Sequence, residues 1–395
     1  EGNVPKLRFP GFEGEWTRNR LDEVASVNPA SPEIPLHFYY IDLESVDAGI
    51  LSEIKEITKS DAPSRAQREV RINDILFQTV RPYQKNNYFM QEEFGLPVFA
   101  STGYAQIRTE NNPYFLYSLL HTKRFLNNVL LRCTGSSYPA INSNDLKEIE
   151  IYTPCQLEQS KLSLFMSLID KRIEKQKQLI ETLKKYKRGL LSSMFPEKGE
   201  AIPKHRFSGF TEPWEQRKLS ELIIEYKETV ESDCELPVLT SSKTEGVLLQ
   251  EEHFGRKQSH DITGYNVLPR NYCTYRNRSD GIDFTFNINK CCDKGIISKF
   301  YPVFCGNGND TFFISLMLNN SDEVVREIGY TCIGTGQKVL AFSDLLKMYL
   351  RVPIYEEQKK IAAYFDNLDH LITLHHYKLK MAIKLKESLL QQLFI

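Results

Sequence analysis

One phrase appears twice in this chain. Pro5–Trp16 reads PKLRFPGFEGEW and Pro203–Trp214 reads PKHRFSGFTEPW. A second echo closes each half. CTGSSYPAINSNDLKEIEIYTP begins at Cys133, and CIGTGQKVLAFSDLLKMYLRVP begins at Cys332. These align Gly135/Gly334, Asp145/Asp344, Leu146/Leu345 and Pro154/Pro353, then run without a gap through Glu158/Glu357 and Asp170/Asp369 to Phe195/Phe394. Repetition on this scale restricts the chain to two copies of one plan. No alignment is visible between residues 30–130 and 230–330. Two divergent blocks therefore sit inside shared borders.

Each half ends in a long helical pattern without proline. A 3-4 spacing selects Leu162, Met166, Ile169, Ile173, Gln176, Ile180, Leu183, Lys187, Leu190 and Met194 in the first copy. In the second it selects Ile361, Phe365, Leu368, Ile372, His375, Leu379, Ala382, Lys386, Leu389 and Leu393. The polar breaks fall at equivalent places, Gln176/His375 and Lys187/Lys386. Such a seam predicts a coiled coil in which polar positions set register. About 40 helical residues make a rod roughly 60 Å long. Two such helices in one chain are expected to pair with each other, antiparallel, as in an isologous dimer.

The predicted plan is thus α+β: two α/β domains separated by two long antiparallel coiled-coil helices, a pseudo-twofold internal repeat. The boundaries are 1–153 for the first block, 154–196 for the central helix, 197–202 for a linker, 203–353 for the second block and 354–395 for the last helix. No apolar run approaches the roughly 20 residues that span a bilayer, and the eight cysteines lack C-x-x-C spacing. Free thiols, a cytoplasmic location and no membrane contact are expected. A net charge of −1 argues against a uniformly basic nucleic-acid binder but allows basic groups gathered on one face.

In block one, Leu36–Leu43, Asp74–Val80, Asn87–Gln91 and Pro97–Thr109 read as strands, and the segment from Asn112 to Cys133 reads as one helix with Asn112 as N-cap and Pro113 at its first position. In block two, LPVLT, NYCTYR, DFTFNI, GIISKFYPVF and TFFISLML read as strands, with a short helix over NSDEVVREIGY. Basic and amide side chains collect where strands stop: Arg65, Gln67 and Arg68; then Arg81, Tyr83, Gln84, Lys85 and Asn86; then Arg256 and Lys257; then Arg270, Tyr275, Arg276, Asn277 and Arg278. Arginine and lysine suit guanine or phosphate, amides suit adenine, and aromatics pack on sugars or bases. Duplex DNA is the expected partner of these loops; a two-headed protein-binding scaffold is the alternative.

Catalytic signatures are missing. NNPYF at Asn111–Phe115 has Tyr114 where the Asn/Asp-Pro-Pro-Tyr loop of amino-methyltransferases has its second proline, and a helix start explains Asn-Pro equally well. GTGQK at Gly334 fits neither phosphate-loop spacing. His375-His376 has no nearby cysteine or paired carboxylates, so no metal site is expected.

Taken together, the doubled P-K-x-R-F-x-G-F entrance, the ILFQTVRPY strand and turn, the Gly135…Asp145-Leu146 and Gly334…Asp344-Leu345 segments, and the LEQSKLSLF and EEQKKIAAYF helix starts resemble the specificity subunit of type I restriction-modification enzymes. The resemblance implies a non-catalytic chain whose two target-recognition domains each read half of a bipartite, asymmetric DNA site. It implies two methyltransferase subunits bound to the shared regions and restriction subunits in the full complex. S-adenosylmethionine would belong to the former and ATP with Mg to the latter, leaving no cofactor on this chain. Block two shows no sequence counterpart of ILFQTVRPY.

Overall fold

The computed structural model describes residues 3–197, 199–256, 261–332 and 337–395. The chain divides into two compact units. Unit 1 takes the chain up to Gln178 and adds His376–Ile395, and unit 2 is Leu179–His375.

Unit 1 holds two four-stranded sheets. One runs Lys55–Thr58, His37–Ile41, Val98–Ser101, Ala66–Val70; the other runs Ser26–Val27, Tyr104–Arg108, Ile75–Gln78, Tyr88–Phe89. All four residues of Ile75–Gln78 are buried. Alternation sends Ile75 and Phe77 into a cluster with Trp16, Phe115 and Leu162, and Leu76 into another with Ile41 and Val98. The expected helix from Asn112 is two helices, Pro113–Leu120 and Lys123–Arg132. The break falls at Thr122, whose hydroxyl accepts from the Phe125 amide at 3.2 Å and caps the second helix. Asn112 does precede the first helix, but its side chain makes no cap bond; its Oδ1 accepts instead from the Ser160 hydroxyl at 2.8 Å.

Unit 2 carries one four-stranded sheet, Ile223–Glu225, Val303–Gly306, Cys273–Thr274, Asn287–Ile288, with two-stranded ladders around it. TFFISLML, Thr311–Leu318, predicted as a strand, lies in a helix, Thr311–Asn320, capped by Asp310, whose Oδ1 accepts from the Phe313 amide at 2.9 Å. A short apolar run serves a buried strand or a buried helix equally, and the capping aspartate was the discriminating letter. Of DFTFNI only Asn287–Ile288 is strand.

The sheets expose an alignment that the letters hide. Each consists of a short strand, a strand leading into a helix, a buried central strand and a two-residue edge, in the same spatial order. The shared closing segment returns to the same place in both: the Ile141 amide donates to the Thr79 carbonyl at 3.1 Å, and the Leu340 amide donates to the Asn277 carbonyl at 3.0 Å. ILFQTVR at Ile75–Arg81 therefore corresponds to CTYRNRS at Cys273–Ser279. Block two does have a structural counterpart of that strand and its end.

The doubled phrase also finds its purpose. In unit 1 the Arg8 guanidinium donates twice to Glu158, at 2.8 and 2.7 Å; in unit 2 Arg206 donates twice to Glu357, both at 2.7 Å. Both glutamates are buried, in the first turn of the helices Gln156–Met194 and Tyr355–Leu393, where a carboxylate also favours the helix dipole. Phe9 meets Phe165 edge-on at 5.4 Å, and Phe207 meets Tyr364 at 6.0 Å. Gly11 and Gly209 turn the phrase at φ +88° and +92°, a region that side chains rarely adopt.

The long helices meet in opposite directions inside each unit. In unit 1, Leu162 and Met166 share a cluster with Leu390, Leu393 and Phe394, and Lys386 pairs with Asp170 at 2.5 Å. In unit 2, Leu191, Met194 and Phe195 share a cluster with Ile361, Phe365 and Leu368, and Lys187 pairs with Asp369 at 2.6 Å. Every predicted seam position is buried or half-buried. The eight cysteines are free, and among the described residues no helix is long and apolar enough to cross a membrane.

Replacing Glu357 with Gln leaves the Arg206 guanidinium, 12% exposed, without its counter-charge. The expected loss is about 3 kcal/mol, read as a lower denaturation midpoint of unit 2 by Trp214 fluorescence in a Trp16→Phe background. An unchanged midpoint would show the pair to be dispensable.

Candidate DNA interface

In unit 1 several loops leave the sheets at one edge, gathered by the turn Thr102–Gly103. The Thr102 amide donates to the Arg65 carbonyl at 2.9 Å, and the Gly103 carbonyl accepts from the Thr79 amide at 3.0 Å and hydroxyl at 2.8 Å. A Cβ on Gly103 would sit 2.9 Å from Leu43, so the loop that follows His37–Ile41 lies here too. That loop is tied onward, since the Ala48 amide donates to Asn86 Oδ1 at 3.0 Å. From the other side Val80 bridges to Ala140, and the Arg81 amide donates to the Pro139 carbonyl at 2.7 Å. Arg65 and the segments 79–87 and 134–140 thus share one edge.

The strand-end segment is braced from within. Pro82–Gln84 makes one 3-10 turn between Arg81 at φ 54° and Lys85 at φ 57°, both left-handed. Gln78 Oε1 accepts from the Asn86 amide at 3.1 Å while its Nε2 donates to Gln84 Oε1 at 2.8 Å. The Gln78 amide donates to Asn87 Oδ1 at 2.8 Å. Asn87 Nδ2 faces His121 Nε2 at 3.4 Å, and His121 Nδ1 lies 2.8 Å from the Tyr117 carbonyl. The tautomer that satisfies both has the proton on Nδ1, with Nε2 accepting. Tyr83 is half exposed, and the Arg81 guanidinium lies over the exposed Tyr138 ring at 4.1 Å. Arg65 and Gln67 are exposed, though Gln67 Nε2 is used on the Ser64 carbonyl; Arg68 is half-buried, and burial lowers its pKa.

In unit 2 the equivalent edge surrounds a cavity of about 170 Å³ lined by Ser241, Lys243, Arg276, Arg278, Asp283 and Asn287 among others. Arg278–Ser279 pairs with Lys338–Val339, and Arg278 stacks on Phe300 at 4.6 Å. Lys243 is paired with Asp283. Tyr275, expected to face DNA, requires correction. It is fully buried against Phe286, and its hydroxyl donates to the Leu340 carbonyl at 3.0 Å. It directly follows the central strand Cys273–Thr274, and alternation with Cys273 sends its ring into the same buried cluster. Arg270 is exposed but clamps its own turn, donating to Asp293 at 2.8 Å and the Lys290 carbonyl at 2.9 Å. Asn277 is half-buried at the strand end. Arg256 is exposed after the helix Gln250–Phe254 and does not line the cavity; Lys257 lies outside the described residues.

The same fold recurs among known proteins. The family model for the type I restriction modification DNA specificity domain matches residues 14–185 and again 211–385. The chain belongs to that family. Among curated proteins, it is 24% identical over 302 residues to the type I restriction enzyme MjaVIII specificity subunit of Methanocaldococcus jannaschii, covering 71% of this chain and 68% of that one. Among solved structures, the type I restriction-modification S subunit from M. genitalium matches with a TM-score of 0.61 at 14% identity, covering 99% of both chains. A chain from a structure of a type I R-M system in assembly matches at 0.54 and 21% identity, also covering 99% of both. At these identities the structural likeness speaks for the fold alone.

Tyr138, Gln78 and Phe300 were not among the sequence-derived candidates. The signal for Tyr138 was present: it lies in the repeated closing segment, six residues before the Asn144-Asp145 stretch that both copies keep in part. Phe300 carries no such mark.

Burial and the nearby Lys386 ammonium push His121 down from 6.5 to about 4. The unfolded chain therefore takes up this proton first. Stability of unit 1 is expected to fall as pH drops from about 6.5 to about 4, and the contribution levels off below that. Denaturant unfolding of the protein and of His121→Gln at pH 7 and pH 5 checks this; equal pH dependence of the two would remove His121 from the account.

Proposed function

We propose that this chain is the non-catalytic DNA reader of a type I restriction-modification complex. Each unit reads one half of a bipartite, asymmetric site, and the two long helices form the scaffold between the halves. The observation that carries this reading is the divergence at equivalent strand-end positions. Gln78, Thr79, Val80 and Arg81 in unit 1 face Arg276, Asn277, Arg278 and Ser279 in the corresponding frame of unit 2. One backbone frame that leaves Arg81 available in unit 1 and Arg276 and Arg278 in unit 2 favours two unlike half-sites.

The ion pairs support an antiparallel coiled coil with pseudo-twofold pairing. Lys187 of the first copy meets Asp369 of the second, and Lys386 of the second meets Asp170 of the first. Such exchange of partners is what an isologous pairing of two repeats produces. The domain boundaries follow the repeat, with recognition domains over 1–153 and 203–353, helices over 154–196 and 354–395, and a linker at 197–202. Away from the seam the helices keep a second apolar stripe in solvent: Leu164, Leu168, Leu371, Leu374, Met381 and Leu385 are exposed. This stripe suits two methyltransferase subunits, which would bring S-adenosylmethionine and extrude the target adenine from the duplex. Restriction subunits, with ATP and Mg, would join the same cytoplasmic assembly.

Mapping methylated adenines in a host that expresses this chain with its methyltransferase partner tests the proposal. A bipartite motif with unlike halves is expected. Methylation or binding without sequence preference would leave the two-headed protein scaffold instead. Deleting one helical turn from Leu162–Met194 is expected to change the preferred gap between half-sites, measured on duplexes of graded spacer length. An unaltered preference would refute the helices as a ruler.

A further inference from the structure

Two guanidinium groups at the proposed reading edges are held in a way that a charge alone would not need. The Arg81 guanidinium lies over the Tyr138 ring at 4.1 Å, and the Arg278 guanidinium over the Phe300 ring at 4.6 Å. The rings come from different places: Tyr138 from the shared closing segment, and Phe300 from the loop between Lys294–Ile297 and Val303–Gly306. Each ring is nonetheless tied by backbone to the strand end that carries its arginine. The Arg81 amide donates to the Pro139 carbonyl at 2.7 Å, and the Asn277 amide donates to the Phe300 carbonyl at 2.9 Å. Tyr138 is 64% exposed and Phe300 39% exposed, so neither ring is placed to fill a core.

Among the described residues neither arginine pairs with a carboxylate, whereas Arg71, Arg108 and Arg270 in the same two units are neutralised by Glu69, Asp74 and Asp293. An aromatic face over a guanidinium leaves in-plane N–H donors free; in Arg81 these are the terminal Nη groups, since its Nε is buried. It also narrows the rotamers, so less ordering is required when the donors engage. A planar fork with free edge donors matches the N7 and O6 acceptors of guanine in the major groove, while a bare phosphate contact asks only for a cation.

From this geometry we infer that Arg81 and Arg278 are the guanine-reading side chains of units 1 and 2, and that Tyr138 and Phe300 are the residues that position them. The inference rests on the DNA-reading proposal above and adds the base class and the residues.

The test is a motif map for the full chain assembled with its methyltransferase partner, using duplexes degenerate at each position of the wild-type site. Tyr138→Ala and Arg81→Lys are each expected to reduce discrimination at one G·C pair of one half-site by about tenfold or more. Tyr138→Phe, which keeps the ring, restores it. Phe300→Ala and Arg278→Lys do the same in the other half-site, with Phe300→Tyr as the rescue. Thermal midpoints and the salt dependence of binding to unrelated duplex stay as in the parent in every variant. If Arg81→Lys retains full discrimination, or if all variants weaken every duplex equally, the arginines are phosphate contacts and the inference falls while DNA reading stands. If the ring-keeping variants fail like the alanines, positioning by the ring is wrong. If the parent protein itself shows no sequence preference, the DNA-reading proposal falls first.

Discussion

Everything in each unit is anchored by one buried ion pair. A glutamate in the first turn of a long helix has almost no access to water, and an arginine from the doubled entrance phrase meets it with two parallel hydrogen bonds. Such a pair gives little net stability over an apolar replacement, but it is directional and tolerates no slippage. It ties the start of each unit to the start of its helix. The flanking aromatic contacts, Phe9 on Phe165 and Phe207 on Tyr364, then pack the same phrase onto the next turns. The Thr17–Arg20 and Glu150–Thr153 ladder in unit 1, like Glu215–Lys218 and Tyr349–Val352 in unit 2, closes the frame. Only within that frame is the free edge of the sheet presented the same way in both units.

The frame could be read from the letters because it is made of side chains that cannot be exchanged. Arg8 and Glu158 need their charges and their fork, Gly11 needs its left-handed backbone, and the seam residues need their spacing. The interior of the blocks was less legible for a physical reason. The central strand of unit 2 is two residues long, Cys273–Thr274, and asks only for side chains that can be buried. Ile75-Leu76 in unit 1 meets the same demand with different letters, so the geometry persists after the resemblance has gone. Tyr275 was misplaced because a tyrosine beside arginines has the composition of a surface loop. Its depth follows from the strand's alternation, which becomes visible only once the strand is located. Thr311–Leu318 failed differently, as an apolar run too short for its period to separate helix from strand.

Among the candidate residues, the structure separates those occupied by the fold from those left available. Arg270, Gln84 and Gln67 spend hydrogen bonds on their own neighbourhood. Among the described residues the side-chain polar atoms of Arg81, Tyr83, Arg276 and Arg278 take no hydrogen-bond partner, and Arg81 and Arg278 are held by ring contacts alone. Clusters of basic letters mark where a reading edge can be, while hydrogen-bond partners decide which members of the cluster remain free to read.

The conformation of Arg81 and Lys85 has a consequence for how this edge tolerates change. A left-handed backbone costs an ordinary side chain about 1 kcal/mol relative to glycine. Glycine at either position would ease the turn, yet it would erase a half-buried cation from this edge. Selection for hardiness alone would therefore blunt this surface. Arginine and lysine at these two positions leave the edge with cations for which the DNA-reading proposal supplies a use.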